Sequence, residues 1–524
     1  MLSSCTVKRS SNTMVKKPLK VFILSGQSNM VGMAHINTFE HIKMFPEKKR
    51  EFKDVFTEEG NPVSLEDVYI SSTAAAAGQS EVLGKLATGY GGGRSRECIG
   101  PEYAFGVYMH KELKEPFLII KTAWGGKSLC FDFRPPDIGQ WTPPKGHPDL
   151  IKKKAPKALA IPKKIDLPVN YKPGEDLVPK YASRVGKFMG LRPMRGVAIG
   201  QCNGVYPIYI TASPQAVFPG TPFQKGDLII GINGEGLRKD SIAHWRDAFH
   251  GSKNNTWMIN VTRWRKGKIE SFDFDIAQTL EGGRANIPAY IAKAKKQKEE
   301  AAKHESKYYK MMMDHIHLVL SDIKRVYPGY DAEQGYEIAG FAWFQGWNDM
   351  VNGGVYPNRD KERGYEQYSW LLKQFINSVR KELKTPEMPF VIGVMGVGGI
   401  DEPVTNNKGH FQQAMAEPAS YPEFKGTVSA VHTGQYWDKQ LEELDTRSWK
   451  ASLKQNEFRL KDKLEGEALK KAYAEYRATL FTAREEEILR KGKSNKGFHY
   501  LGSAKIMVGI GKGFAEAMLE LLDK

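Results

Sequence analysis

Four short runs, apolar almost throughout, stand out along the chain: Val21–Leu24, Phe117–Ile120, Phe341–Phe344 and Phe390–Val394. Strands exposed on one face alternate apolar and polar residues, so unbroken runs of this length predict strands buried on both faces, as in a parallel sheet covered by helices. Helical spacing fills the intervals. Met312, Ile316, Val319, Leu320 and Ile323 form one stripe, on a long charged helix expected from about Pro288 to Val326. Tyr365–Leu383 reads as an amphipathic helix, and Ile506, Ile510, Phe514, Met518 and Leu521 line a core helix near the end. Alternation of this kind predicts an α/β fold with a parallel sheet. Asn456–Leu480, rich in charge and alanine, reads as an exposed helix, and Thr482-Ala483-Arg484-Glu485 as a capping box opening another.

A different pattern occupies the middle. Gly226-Asp227-Leu228-Ile229-Ile230-Gly231-Ile232-Asn233-Gly234 joins a turn, an apolar strand and an Asn-Gly turn. Ile208–Pro214 precedes it; a short helix at Ile242–Phe249 and a hairpin of Trp257–Thr262 with Lys268–Phe274 follow. This is a small β-rich module. Two of the apolar runs, the second ending in Gly125-Gly126, precede it, and two, the first ending in Gln345–Asp349, follow, so it is an insertion in a discontinuous α/β domain, entered through the Lys- and Pro-rich stretch Ile151–Pro173. The expected limits are 1–178 and 281–524 for the α/β domain and 179–280 for the insertion.

Chemistry gathers at the strand ends. Ser28, in Ser25-Gly26-Gln27-Ser28-Asn29-Met30, sits where the first strand turns into a helix, a placement that suits a nucleophile. Gly125 and Gly126 end the second run and let a backbone N–H approach a ligand closely. Gln345, Asn348 and Asp349 follow the third run, and the two amides are candidate donors to an oxyanion. His499 lies on a loop feeding the last core helix. Together these residues form a set suited to acyl transfer.

The same residues resemble the SGNH hydrolases, and within them the sialate O-acetylesterase-like carbohydrate acetylesterases. Ser28 in Gly26-Gln27-Ser28-Asn29 looks like the block I serine, Gly125-Gly126 like block II, Gly346-Trp347-Asn348-Asp349 like block III, and His499 like the block V base. The resemblance implies a three-layer α/β/α parallel sheet. It also implies a serine esterase that removes O-acetyl groups from a sugar or polysaccharide, a sialate or other acidic glycan among them. Ser28 would be nucleophile and His499 base, with Gly125, Gly126, Gln345 and Asn348 around the oxyanion and Gln27, Trp124 and Trp347 against the substrate. One position departs: three residues before the histidine, where the family carries aspartate, stands Lys496. Asp349, Asp438 or a backbone carbonyl is left to orient the histidine. The middle module resembles a bacterial PDZ-like domain through its Gly-Asp-x-Ile-x-x-x-Asn-Gly run, although Gly196–Gly200 is not recognisable as a carboxylate-binding loop. A peptide or protein contact through it is one expectation, and a structural or glycan-lid role the stronger one.

The 524 residues carry a formal charge of +17. Lysine clusters at 152–154, 163–164 and 293–298 lack aromatic platforms, and no helix-turn-helix, zinc-finger or RNP motif accompanies them, so a nucleic-acid partner is not expected. A solvated basic surface is the default reading of these clusters, and attraction to acidic glycans is a further expectation. Cys5, Cys98, Cys130 and Cys202 have neither zinc-type nor disulfide-framework spacing, and neither metal nor cofactor is expected. No membrane-spanning run and no signal-peptide pattern is read in Met1–Ser10, while the substrates of the family suggest a periplasmic or extracellular site of action. The rival reading is a catalytically silent glycan-binding protein on a hydrolase fold.

Overall fold

The computed structural model describes residues 17–74, 81–92, 97–140, 161, 191–193, 206–210, 222–237, 241, 244–245, 258–275, 305–400, 404–460 and 462–523. The chain forms two compact units, Met1–His147 with His304–Lys524, and Pro148–Lys303. Residues 179–280, the expected insertion, fall inside the second.

The first unit is built on a seven-stranded sheet. Its strands are β1 (Leu19–Gly26), β2 (Val68–Ser72), β3 (Val82–Lys85), β4 (Phe117–Ala123), β5 (Tyr336–Phe344), β6 (Phe390–Val394) and β7 (Val428–His432), in the order β7-β6-β5-β1-β4-β2-β3. Every pairing is parallel except that of the edge strand β3 with β2. The apolar runs mark β1, β4, β5 and β6 because their side chains are buried to both sides. Phe22 and Leu24 enter one core, Val21 and Ile23 the other.

Helices cover both faces. Pro101–Leu113 (α2) and Ala504–Leu522 (α7) pack together on the Phe22 side. Ile506, Ile510, Phe514 and Met518 of α7 are wholly buried there. Lys307–Ser321 (α3), Glu366–Glu382 (α5) and Asn407–Ala416 (α6) cover the Val21 side. A one-turn helix, Ser28–Val31 (α1), follows β1, and another, Trp347–Met350 (α4), follows β5.

Two helix boundaries differ from the sequence reading. α3 stops at Ser321, where Asp322 leaves helical geometry and its carboxylate accepts the Arg325 N–H to start a fresh turn; residues 288–304 lie outside the described residues. The expected helix over Asn456–Leu480 is two helices, Lys439–Leu460 and Gly466–Leu480, separated where Lys463 and Gly466 both take φ of +54°. Left-handed backbone ends a right-handed helix, and charge-rich composition carries no signal of it. The capping box of Thr482 and Glu485 is formed.

The second unit is an antiparallel sheet in the order Lys268–Asp275, Met258–Arg265, Leu228–Ile232, Ile208–Ile210, Leu191–Pro193, with Glu235–Gly236 also paired to Leu228–Ile232. Among its described residues, the tight turns Asn233-Gly234 and Lys266-Gly267 have positive φ at both residues, the geometry that matches strand twist in a hairpin. Ile208, Ile229, Ile232, Val261 and Phe274 share its core. Gly196–Gly200, the linker 162–173 and most of Ile242–Phe249 lie outside the described residues. Among the described residues no helix is long and apolar enough to cross a membrane.

Candidate active site

β1 lies at the centre of the sheet between β4 and β5, and the chain builds outward from it in two directions. Where strand order reverses in this way, the carboxyl ends of neighbouring strands splay apart and leave a crevice. Ser28, Gly125 and Gln345 follow these three strand ends directly. The turn after β1 has a strict requirement at Gly26, whose φ is +155° and where a Cβ would lie 2.1 Å from the carbonyl oxygen of Phe344. This close approach lets Gln27 N–H donate to the same oxygen at 3.1 Å, pinning the start of α1 to the end of β5.

Ser28 is then the first residue of α1 and is 8% exposed. A Cβ on Gly125 would sit 3.7 Å from Ser28 Cβ, so the glycine following β4 lies directly beside the serine. Gly125 and Gly126 are themselves exposed. The side-chain oxygen of Gln27 accepts from the N–H groups of Gly346 at 3.3 Å and Asn348 at 3.5 Å and from Gln345 Nε2 at 3.3 Å. Gln27, 1% exposed, thus joins the serine turn to the turn after β5.

Asp349 sits beneath this turn, fully buried. One carboxylate oxygen accepts from Leu129 N–H at 2.7 Å and Gln345 Nε2 at 2.6 Å, and the other from Cys130 N–H at 3.1 Å and the Tyr356 hydroxyl at 3.0 Å. Burial raises its pKa, and the four donors oppose that rise. Gln345 also donates to the Lys127 carbonyl and accepts from Tyr368 at 3.0 Å, so its amide is engaged on both sides. Both residues brace the turns that follow β4 and β5. Asn348 is half-buried.

His499 is carried by the turn Gly497–Gly502, which packs against α1. Tyr500 and Leu501 have φ of +52° and +60°, conformations costly for side chains of this size. They are held from several directions. The Leu501 carbonyl accepts from Ser494 and Asn495 N–H, and the Tyr500 hydroxyl accepts from Gly396 N–H at 2.7 Å and bonds Thr433 at 2.6 Å. His499 Nδ1 lies 3.0 Å from Asn495 Oδ1, and burial lowers the histidine pKa. Among the described residues no hydrogen bond or ion pair joins His499 to Asp349 or Asp438. Asp438 pairs with Lys505 and accepts the Leu441 N–H at a helix start.

The expected sugar-facing aromatics divide. Trp124 is 7% exposed, with its ring against Phe133 and Tyr308. Trp347 is half-buried, and its ring lies 5.9 Å from that of Phe498, which in turn contacts the His499 imidazole at 4.5 Å.

Two contributors escaped the sequence reading. Asn495 stands four residues before the histidine, one position beyond the place searched for an acid. Lys121, the single charge in β4, is fully buried under α1. Its ammonium donates to the carbonyls of Val31 and Tyr90, both at 2.9 Å, and pairs with Glu102 at 2.6 Å, using all three protons. Burial pulls its pKa down against the pull of Glu102. A lysine interrupting an apolar strand was the available signal.

Residues 18–141 match the family model for carbohydrate esterases described as sialic acid-specific acetylesterase. No protein of curated function matches the chain in sequence. Among solved structures, a protein from Arabidopsis thaliana is similar with a TM-score of 0.29 and 10% identity, over 79% of this chain and 86% of that one. A carbohydrate acetylesterase from Xanthomonas citri is similar with a TM-score of 0.28 and 9% identity, over 78% of this chain and 49% of that one. Over residues 18–141, the stretch that carries Ser28 and Gly125, the chain is similar to the carbohydrate esterases.

Proposed function

We propose that the chain is a serine carbohydrate esterase of the SGNH type that removes O-acetyl groups from a sugar or polysaccharide. In this reading His499 takes the Ser28 proton as Ser28 Oγ attacks the acetyl carbonyl. The N–H groups of Ser28 and Gly126 and the side-chain amide of Asn348 receive the negative charge. The sugar hydroxyl leaves with the proton held by His499, and water then attacks the acyl-serine and releases acetate.

One observation carries the reading: a glycine and an amide-bearing turn, from the two strands flanking β1, meet at the turn that carries the serine. The 3.7 Å approach of Gly125 to Ser28 and the bonds from Gln27 to Gly346 and Asn348 support an oxyanion pocket at that point. The family match over residues 18–141 supports the ester of a sugar as substrate. The net charge of +17 supports an acidic glycan. In the second unit, the antiparallel sheet around Gly226–Gly234 supports a PDZ-like insertion.

Acetate release from O-acetylated oligosaccharides and from an aryl acetate, with the intact chain beside Ser28→Ala, tests the proposal. Release that disappears in the variant bears it out. Absence of release from every acetyl ester by the intact chain overturns it in favour of a glycan-binding protein. For an acidic polysaccharide the rate falls as salt is raised; a rate insensitive to ionic strength, and equal to that of a neutral polymer, removes the acidic-glycan part.

A further inference from the structure

In the turn before α7, Asn495 Oδ1 receives two contacts at once: Lys496 N–H at 2.8 Å and His499 Nδ1 at 3.0 Å. The two ends of an asparagine amide are told apart only by their partners. Here one partner is a backbone N–H, which donates and never accepts. The atom facing it is therefore the amide oxygen, which accepts and never donates. The imidazole nitrogen facing that same oxygen has to bring the proton. A neutral imidazole carries one N–H, so Nε2 is left with its lone pair.

We propose that Asn495 is the positioning residue of the histidine: its oxygen holds His499 as the Nδ1–H tautomer and presents Nε2 as the proton acceptor. The proposal rests on the serine esterase reading for its catalytic meaning. Asn495 does with a neutral oxygen what an aspartate does with a charged one. Replacing a triad aspartate by asparagine is ruinous where the amide is free to turn its N–H₂ toward the ring and select the wrong tautomer. Lys496 N–H prevents that turn, because rotating the amide would set two donors against each other.

The substitution also removes a charge. Burial is what displaces the His499 pKa, downward. The charged or titratable groups on the elements packed around the turn are otherwise occupied or peripheral. Lys493 pairs with Asp445, His35 with Glu97, and Asp349 serves its four donors, while Lys496 is exposed. An acid at position 495 would stabilise the imidazolium and raise the pKa.

The test is NMR on the full chain with 15N-labelled histidine, the His499 ring being identified by its loss in His499→Gln. In the unsubstituted chain the ring is expected with Nδ1 protonated and Nε2 bare. Asn495→Asp, which is isosteric, is expected to keep that tautomer and to raise the midpoint by about 1 unit or more. The acid limb of kcat/KM should move with it. Asn495→Ala should admit the second tautomer and lower kcat about a hundredfold with KM little changed. A protonated Nε2 in the unsubstituted chain, or a midpoint unmoved by Asn495→Asp, overturns the assignment. These readouts need no substrate. Failure of the esterase reading shows separately, as acetate release that is absent or survives Ser28→Ala.

Discussion

Trp347 and Phe498 place their ring centroids 5.9 Å apart at 42°, tying the turn after β5 to the turn that carries His499. Phe498 is 41% exposed, so the pair offers a partly open aromatic face beside the imidazole. Aromatic faces of this kind suit sugar rings. Trp347→Ala is expected to raise KM for an O-acetylated glycan several-fold, equivalent to about 0.5–1.5 kcal/mol, while leaving an aryl acetate unaffected. An unchanged KM for the glycan refutes stacking.

Ser28→Ala should lower kcat for every acetyl ester by about a thousandfold or more. Its melting temperature should stay close to that of the unsubstituted chain, since a single oxygen is removed from a small side chain. Calorimetry beside acetate assay separates a lost nucleophile from a lost fold.

The pH dependence of the rate follows from the direction of the His499 shift. A base must be unprotonated to act, and burial lowers its pKa. The acid limb of kcat/KM is therefore expected below the ordinary imidazole range. A limb at or above that range contradicts His499 as the base.

Stability has its own histidine. His41 is wholly buried, and burial followed by the nearby Lys505 lowers its pKa from 6.5 to about 4. The unfolded chain takes up this proton first, so between those values the unfolded state binds more protons and folding weakens as pH falls. Urea unfolding should show the stability loss entering below about 6.5, and His41→Gln should flatten it. An unaltered pH profile in the variant assigns the loss to other groups.

Lys121→Met would leave Glu102 buried without its cation and release the Val31 carbonyl at the end of α1. We expect about 3–5 kcal/mol of destabilisation by urea titration. Pairing it with Glu102→Gln should recover much of that loss, because the isolated charge is the greater penalty. No recovery in the double variant points to packing instead.

The strands that carry the site were legible because burial on both faces leaves unbroken apolar runs. The stripe on α7 was legible for the matching reason at helical spacing. Ser28, Gly125 and Asn348, the residues proposed for the site, stood out as small or amide residues at strand ends. The partner of His499 did not. A strained turn brings Asn495 to the ring across four residues, and that curvature resides in the φ angles of Tyr500 and Leu501, which neither residue type favours. Trp124 and Asp349 show the converse. Their residue types suited a binding face and an acid, yet Phe133, Tyr308 and the buried donors around the carboxylate occupy them.

The order of parts along the chain differs from their order in the sheet. The serine turn comes first, β5 follows the second unit, and the histidine turn comes after every strand. A ribosome delivers them in that sequence. Until the last turn emerges, a growing chain holds Ser28 without the histidine proposed as its proton acceptor. On the proposed mechanism, a product cut short before that turn lacks its base, and activity awaits the late arrival of a six-residue turn.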